Sequence, residues 1–233
     1  MSTTYQKFLK RLKEERLRLM LSQSDIGQLL RMSQSHYSKA ELGTRRFTYY
    51  EIQCLCETEV ELFFVFSGDK SQVKIDESYS ECSFKELTCY LEIICVVLTS
   101  LHDAKILALP EKIQKKIENI QYVLMPCEKD KTIFYKLRRS LNYNQIKMAD
   151  LLEVDVKKLR SMESGKVLPD SEIIWRLSET FYIPYALFLK DKKGLVCEIS
   201  CLLQLIEESK RKDVLESIKS IHKTFCQSSI GEI

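Results

Sequence analysis

The sequence contains little glycine and proline, six and four residues out of 233, although turns in β-rich domains depend on these residues. No segment alternates apolar and polar residues with a period of two, whereas apolar residues recur at helical spacing along the chain. Hydrophobic residues make up 45% of the sequence, which is enough for a buried core. We therefore predict an all-α protein.

The sequence also lacks a long apolar run. The longest one, residues 91–101, is too short to span a bilayer and is typical of a buried helix. No apolar stretch follows the charged residues at the amino terminus, so we expect no signal peptide and a cytoplasmic protein. The motifs of serine hydrolases, P-loop proteins and zinc peptidases are missing too, and we expect no enzymatic activity.

Nine cysteines are present, but their spacing favours neither a metal site nor a set of disulfides. No CxxC motif occurs, and the three histidines lie far from any pair of cysteines. The odd number and the helical placement favour buried, reduced thiols, and we expect no metal and no cofactor. An alternative is redox or metal sensing by Cys197 and Cys201, which lie one helical turn apart.

The net charge of +3 is distributed unevenly. Residues 1–46 carry +6 and residues 131–169 carry +5, whereas residues 47–130 carry −7 and residues 170–233 carry −1. Positive charge attracts the phosphates of nucleic acids, and negative charge repels them. We therefore expect two DNA-binding regions, one in each basic segment.

The first basic segment contains a helix, a tight turn and a second helix within residues 23–43. Ser22 and Ser33 are suited to cap the two helices, because their hydroxyls accept hydrogen bonds from free N–H groups. Between its apolar positions the second helix carries polar side chains that cover no core but can contact base edges in a major groove. These candidate base-contacting residues are Gln34, Ser35, His36, Ser38 and Lys39.

The same pattern returns 122 positions later, within residues 145–165. Without a gap, the correspondence pairs Arg16 with Arg138, Gln23 with Gln145, Glu41 with Glu163 and Gly43 with Gly165. A repeat that keeps a charged pair and a helix-ending glycine in register indicates that the chain contains one domain twice.

Two stretches resemble the Xre, or lambda-repressor-like, helix-turn-helix family: FLKRLKEERLRLMLSQSDIGQLLRMSQSHYSKAELGTRR and FYKLRRSLNYNQIKMADLLEVDVKKLRSMESGKVLPD. The resemblance implies two tandem domains that bind double-stranded DNA. Family members usually have glycine at the turn between the two helices, where this chain has Arg31 and Glu153, and Gly27 replaces the usual alanine. A left-handed backbone at a residue other than glycine costs about 1 kcal/mol.

The resemblance also implies roles for the paired residues. The expected buried ion pairs, which fix the first helix of each unit against the end of the third, are Arg16–Glu41 and Arg138–Glu163. Gln23 and Gln145 open the second helices, and each amide is expected to contact a DNA phosphate beside the helix N-terminus.

The two units differ in the other residues available to DNA. Arg45 and Arg46 are expected to contact phosphates in the first unit, where the second unit retains only Lys166. Gln34 is suited to adenine, and Lys39 to guanine or phosphate. The candidate DNA-contacting residues of the second unit are Val156, Lys157, Lys158, Arg160 and Ser161. Of these, Val156 is suited to contact a thymine methyl group. We therefore expect the two units to recognise different half-sites.

Each unit is followed by two apolar helices. The expected segments are residues 1–68 and 128–192 for the helix-turn-helix domains, 69–127 for a linking or dimerising helical hairpin, and 193–233 for a C-terminal hairpin. Because apolar helix faces must be buried, we expect the hairpins to pack on each other and to hold the two units about 34 Å apart, as a pseudo-dimer within one chain. Homodimerisation through the hairpins is the alternative.

These observations predict a sequence-specific transcription regulator, and a repressor because occupying an operator requires no activating surface. Two alternatives remain. In one, the hairpins bind a protein or peptide, as in an antitoxin-like or peptide-responsive regulator, and only the first unit binds DNA. In the other, a small effector binds between the hairpins near Tyr90, Cys95 and Cys201.

Overall fold

The computed structural model describes residues 4–69, 79, 81–125 and 131–227. Within these ranges the chain forms fourteen α-helices and no strand, so the prediction of an all-α fold is confirmed. The parts of the predicted segments at 1–3, 70–78, 80, 126–130 and 228–233 lie outside the described residues. No helix in the described ranges is long and apolar enough to cross a membrane.

Five helices form the amino-terminal unit: α1 (Tyr5–Arg18), α2 (Gln23–Leu29), α3 (Gln34–Glu41), α4 (Tyr49–Leu55) and α5 (Leu62–Ser67). The side chains of Ser22, Ser33 and Thr48 cap α2, α3 and α4, because each accepts a hydrogen bond from the N–H three residues further on. Helix α5 ends at Gly68, which adopts the left-handed conformation that glycine accommodates without strain.

Five helices in the same order form a second unit: α8 (Ile133–Ser140), α9 (Gln145–Leu152), α10 (Val156–Glu163), α11 (Ser171–Phe181) and α12 (Tyr185–Leu189). The side chains of Asn144, Asp155 and Asp170 cap α9, α10 and α11. These caps stand 122 positions after Ser22, Ser33 and Thr48, so the chemistry that starts each helix is kept although the residue types differ.

Left-handed backbone also occurs at corresponding positions of the two units. The pairs, each 122 residues apart, are Met20 and Asn142, Arg31 and Glu153, Gly43 and Gly165, and Gly68 and Lys190. At the turn after α2, Met32 N donates to Gly27 O (2.9 Å), and at the turn after α9, Val154 N donates to Ala149 O (3.0 Å). These bonds close the two helices at the turns where left-handed backbone was expected.

Four longer helices connect and follow the units: α6 (Phe84–Asp103), α7 (Glu111–Leu124), α13 (Lys192–Leu203) and α14 (Glu208–Gln227). Helix α6 packs against α13, which is the expected contact between the hairpins, while α7 turns onto α8 and α11 of the second unit. Helix α14 packs on α6 more closely than on its neighbour α13. Its Ile218 is fully buried, and His222 stacks on Tyr90 with ring centroids 4.0 Å apart.

The two five-helix units also pack directly against each other, a contact that the sequence did not predict. Trp175 of α11 is fully buried beside Phe8 of α1 and Phe66 of α5, with ring centroids 5.9 and 6.3 Å away. Phe66 stacks in turn on Tyr185 of α12, at 4.3 Å. A single hydrophobic core therefore runs through both units and the connecting helices.

This contact between the units is partly reciprocal. Tyr49 Oη on α4 donates to the carbonyl oxygen of Phe188 on α12 (2.9 Å). In return, Trp175, which corresponds to Gln53 of α4, contacts Phe66, which corresponds to Phe188. When two similar units are related by an approximate two-fold axis, each contacts the other through the same pair of surfaces.

The seven cysteines whose side chains the structure describes form no disulfide with one another. Burial raises the pKa of the Cys201 thiol to about 11 and raises the pKa of Cys95 further. Oxidation and metal binding both require the thiolate. Cys201 is therefore poorly suited to the sensing role considered for it and Cys197.

Candidate nucleic-acid interface

Helix α3 presents a polar face to solvent. Ser33 Oγ accepts from His36 N (3.3 Å) and fixes the first turn, while Tyr37 and Ala40 are fully buried and attach the opposite face to the core. The side chains expected to contact bases are Gln34, Ser35, His36 and Lys39, which are exposed, and Ser38, which is half-buried. The helix is thus held from one side and open to a duplex on the other.

The carboxylate of Glu41, at the end of α3, joins three helices. It accepts from Arg16 Nε of α1 (2.8 Å), from Gln23 Nε2 of α2 (2.8 Å) and from Tyr37 Oη (3.1 Å). Burial favours the neutral acid, but the hydrogen bonds from Arg16 and Gln23 outweigh it and lower the pKa of Glu41. Arg16 also donates to Leu21 O (2.8 Å), so the ion pair fixes the loop before α2 as well.

Gln23 therefore contacts the Arg16–Glu41 ion pair, although nothing in the sequence indicated that the amide and the ion pair would meet. One of its amide protons is committed to Glu41, and the other is left for a phosphate at the N-terminus of α2. The phosphate contact stays a prediction. The carboxylate contact is a role that sequence spacing did not reveal, since it depends on how α2 crosses the end of α3.

The second unit repeats these contacts around Glu163. Arg138 forms an ion pair with it and donates to Tyr143 O (3.1 Å). Gln145 Nε2 donates to Glu163 Oε2 (2.9 Å). Every partner stands 122 positions after its counterpart. One donor is missing, because Leu159 stands where the first unit has Tyr37.

Helix α10 also has an open polar face. Lys157 and Arg160 are exposed, and so is Lys166 in the loop that follows. Three further candidates, Val156, Lys158 and Ser161, are half-buried. Lys158 Nζ lies 3.0 Å from a carboxylate oxygen of Asp170, and Val156 packs against the edge of the core. These two side chains are less available to DNA than the sequence suggested.

The two arginines that were expected to contact phosphates both have carboxylate partners in the structure. Arg45 lies 2.6 Å from Glu51, which also caps the start of α4 through Thr48 N (2.8 Å). Arg46 forms an ion pair with Glu172 at the start of α11, and half of its side chain remains exposed. Their contacts with phosphate stay predictions, and each guanidinium would have to keep or exchange its carboxylate when DNA binds.

Glu172 belongs to a charge network between the units that the sequence did not reveal. Arg176 Nη2 donates to Glu172 (2.8 Å) and to Glu153 (2.6 Å), the residue at the left-handed turn after α9. Glu172 is only 3% exposed; burial raises its pKa, but the hydrogen bonds from Arg176 and Arg46 outweigh that effect and lower it. The i, i+4 spacing of Glu172 and Arg176 was a detectable signal, whereas Arg46 is 126 residues away.

Comparison with protein families matches residues 12–56 to a helix-turn-helix family. The match covers helices α2 to α4 and the end of α1, including Glu41 and the exposed face of α3. No curated protein and no solved structure matches the chain. Residues 12–56 are thus one Xre-like helix-turn-helix domain, and this domain supports a DNA-binding regulator of the lambda-repressor kind.

Proposed function

We propose that the chain is a sequence-specific transcriptional repressor in which two unequal helix-turn-helix units, the products of a duplication, contact one DNA duplex. The single observation that carries the proposal is the repeated set of contacts around Glu41 and Glu163, combined with an exposed polar face on both α3 and α10. Buried contacts of this kind orient a helix, and an exposed polar helix face is what major-groove recognition requires.

The duplication is supported by features that do not depend on residue identity. Helix caps and left-handed positions recur at the same interval of 122 residues from Met20 to Lys190. Backbone conformation is set by the fold, so this register is expected if both units descend from one domain. The basic segments, residues 1–46 and 131–169, cover the first three helices of each unit.

The contact between the units supports a pseudo-dimer in one molecule. Reciprocal packing of α4 on α12 and of α5 on α11 gives the two candidate recognition helices a fixed mutual position. A repressor that works by occupying its operator needs no further surface. The site considered for a small effector between the hairpins is less accessible than the sequence suggested, since Cys95 is fully buried and Tyr90 stacks on His222.

The test is selection of bound duplexes from a random pool, with the wild-type protein and with a Gln34→Ala, Ser35→Ala variant. We expect the wild type to select a motif of two unlike half-sites and the variant to lose preference in one of them. Ser100→Ala, on the exposed side of α6, is the control and should select the wild-type motif. Failure of the wild type to enrich any sequence would refute sequence-specific binding.

A second candidate function is binding of a protein or peptide by the α6–α7 hairpin, with DNA contacted by the first unit alone. The exposed apolar side chains of Val96, Ile106 and Tyr122 on this hairpin favour it. In that case a Lys157→Ala, Arg160→Ala variant would select the same duplexes as the wild type.

A further inference from the structure

The side chain of Arg160 is held in place although it lies on the exposed face of α10. Its Nε donates to Gln145 Oε1, at 2.8 Å. The first unit has no such contact, because Ser38 stands at the position that corresponds to Arg160. The contact therefore distinguishes the two otherwise matching sites.

The orientation of the Gln145 amide follows from its other partner. Glu163 forms an ion pair with Arg138 and accepts hydrogen bonds through its carboxylate oxygens, so the NH2 group of Gln145 faces it, at 2.9 Å. The amide oxygen then faces Arg160. A chain of four side chains thus runs from the buried Arg138 to the exposed Arg160.

The terminal nitrogens of Arg160 remain available. In the described part of the chain the guanidinium makes one hydrogen bond, through Nε, and Nη1 and Nη2 have no acceptor. Together they present two N–H groups side by side at the tip of the side chain. This donor pair matches O6 and N7 on the major-groove edge of guanine.

We propose that Arg160 recognises a guanine in the half-site of the second unit and that Gln145 is the residue that positions it. The inference rests on the proposed DNA binding by α10 and adds the base that this helix selects. Fixing a long side chain before binding reduces the conformational entropy that the contact must overcome. Gln145 thereby acquires a role different from that of Gln23, which has no arginine beside it on α3.

The first experiment compares wild type and Arg160→Gln on the selected duplex and on duplexes in which each guanine of the half-site is replaced in turn. For the wild type we expect one replacement to weaken binding roughly 5- to 150-fold, the discrimination typical of a bidentate arginine–guanine pair. For Arg160→Gln, the same replacement should have little effect. Equal loss of affinity on every duplex would assign Arg160 to a phosphate and overturn the guanine contact.

The second experiment tests the positioning role with Gln145→Met and the matched variant Gln23→Met. Both substitutions remove an amide that donates a hydrogen bond to a glutamate, so they should lower thermal stability alike. Only Gln145→Met also removes the partner of Arg160. We expect Gln145→Met alone to reduce discrimination at the guanine recognised by Arg160. Unchanged discrimination would overturn the role of Gln145.

The outcomes separate this inference from the proposed function. A wild-type protein that selects no sequence refutes the proposed function itself. A wild type that selects a motif whose every position is unaffected by Arg160→Gln refutes only the inference, because the duplex is then recognised without this arginine.

Discussion

Glu41 accepts hydrogen bonds from three side chains that belong to three different helices, and Glu163 repeats two of these contacts. Each carboxylate lies at the end of a candidate recognition helix. The orientation of that helix therefore depends on one buried charge and on the arginine that neutralises it. Such a pair is more important for geometry than for net stability, but breaking it leaves a charge without a partner.

We predict that Glu41→Gln lowers the free energy of unfolding by roughly 3 kcal/mol, because the buried guanidinium of Arg16 loses its counter-charge. Urea unfolding followed by circular dichroism measures the change. Glu14→Gln is the matched control: Glu14 pairs with Lys10 on the surface at 4.0 Å, and its loss should cost less than about 1 kcal/mol. Equal effects of the two substitutions would contradict a structural role for Glu41.

Glu172 predicts a pH dependence of stability. Its pKa in the folded protein lies below the ordinary value of 4.5, so the unfolded chain takes up this proton first as the pH falls. The stabilisation is complete above pH 4.5 and is lost as the pH drops through the lower folded pKa. The difference in unfolding free energy between wild type and Glu172→Gln should accordingly shrink below pH 4.5. For Glu118→Gln, on the exposed side of α7, the difference should stay small at every pH.

Among the structural elements, the loop between α3 and α4 has the clearest electrostatic consequence. It carries Arg45 and Arg46 beside the exposed face of α3, and both guanidinium groups remain partly exposed despite their ion pairs. A phosphate that binds there can share or replace the carboxylate partners. The loop is therefore expected to add affinity without sequence preference.

We predict that an Arg45→Gln, Arg46→Gln variant binds every duplex more weakly and that the slope of log affinity against log salt flattens by about one to two. Fluorescence anisotropy at several salt concentrations measures the slope. A Lys105→Gln, Lys115→Gln variant has the same change in charge, at exposed positions of the α6–α7 hairpin, and should keep the wild-type slope. An unchanged slope in the arginine variant would exclude phosphate contacts by this loop.

Helix starts were predictable because their signals are local. Ser22 and Ser33 cap α2 and α3 as expected, and the left-handed turns at Arg31 and Glu153 follow from the resemblance. The docking of α14 on α6 was not predictable, since apolar periodicity identifies a buried face but not its partner.

The candidate site could be predicted only in its outline. The exposed face of α3 follows from polar residues interleaved with Tyr37 and Ala40, and the positions expected to pair with Glu41 and Glu163 could be read from the repeat. The ion pair between Arg46 and Glu172 joins residues 126 positions apart and depends on the packing of the two units. Local sequence carries no information about such a contact.

At the scale of the whole molecule, the only tryptophan of the sequence, Trp175, lies at the junction of the two units. We predict that Trp175→Ala lowers the free energy of unfolding by about 3–5 kcal/mol, because a large cavity opens next to Phe8 and Phe66. In the wild type, tryptophan fluorescence should change together with the circular dichroism of the helices, since one core joins both units. Separate transitions would show that the units unfold independently.

The proposed pseudo-dimer predicts the stoichiometry of the complex. One chain supplies two candidate recognition helices, so one chain should saturate one duplex that contains both half-sites. Multi-angle light scattering of the complex measures the mass directly. A mass that corresponds to two chains on one duplex would favour homodimerisation through the helical hairpins instead.

The fusion of two unequal units in one chain has an evolutionary consequence. In a homodimer, every substitution in the recognition helix appears twice, and both halves of the operator must change together. Here Arg160 and Ser38 occupy the same place in the two units but are encoded separately. If both units contact DNA as proposed, each half of the target can diverge alone, one mutation at a time, while the other half keeps the protein on its DNA.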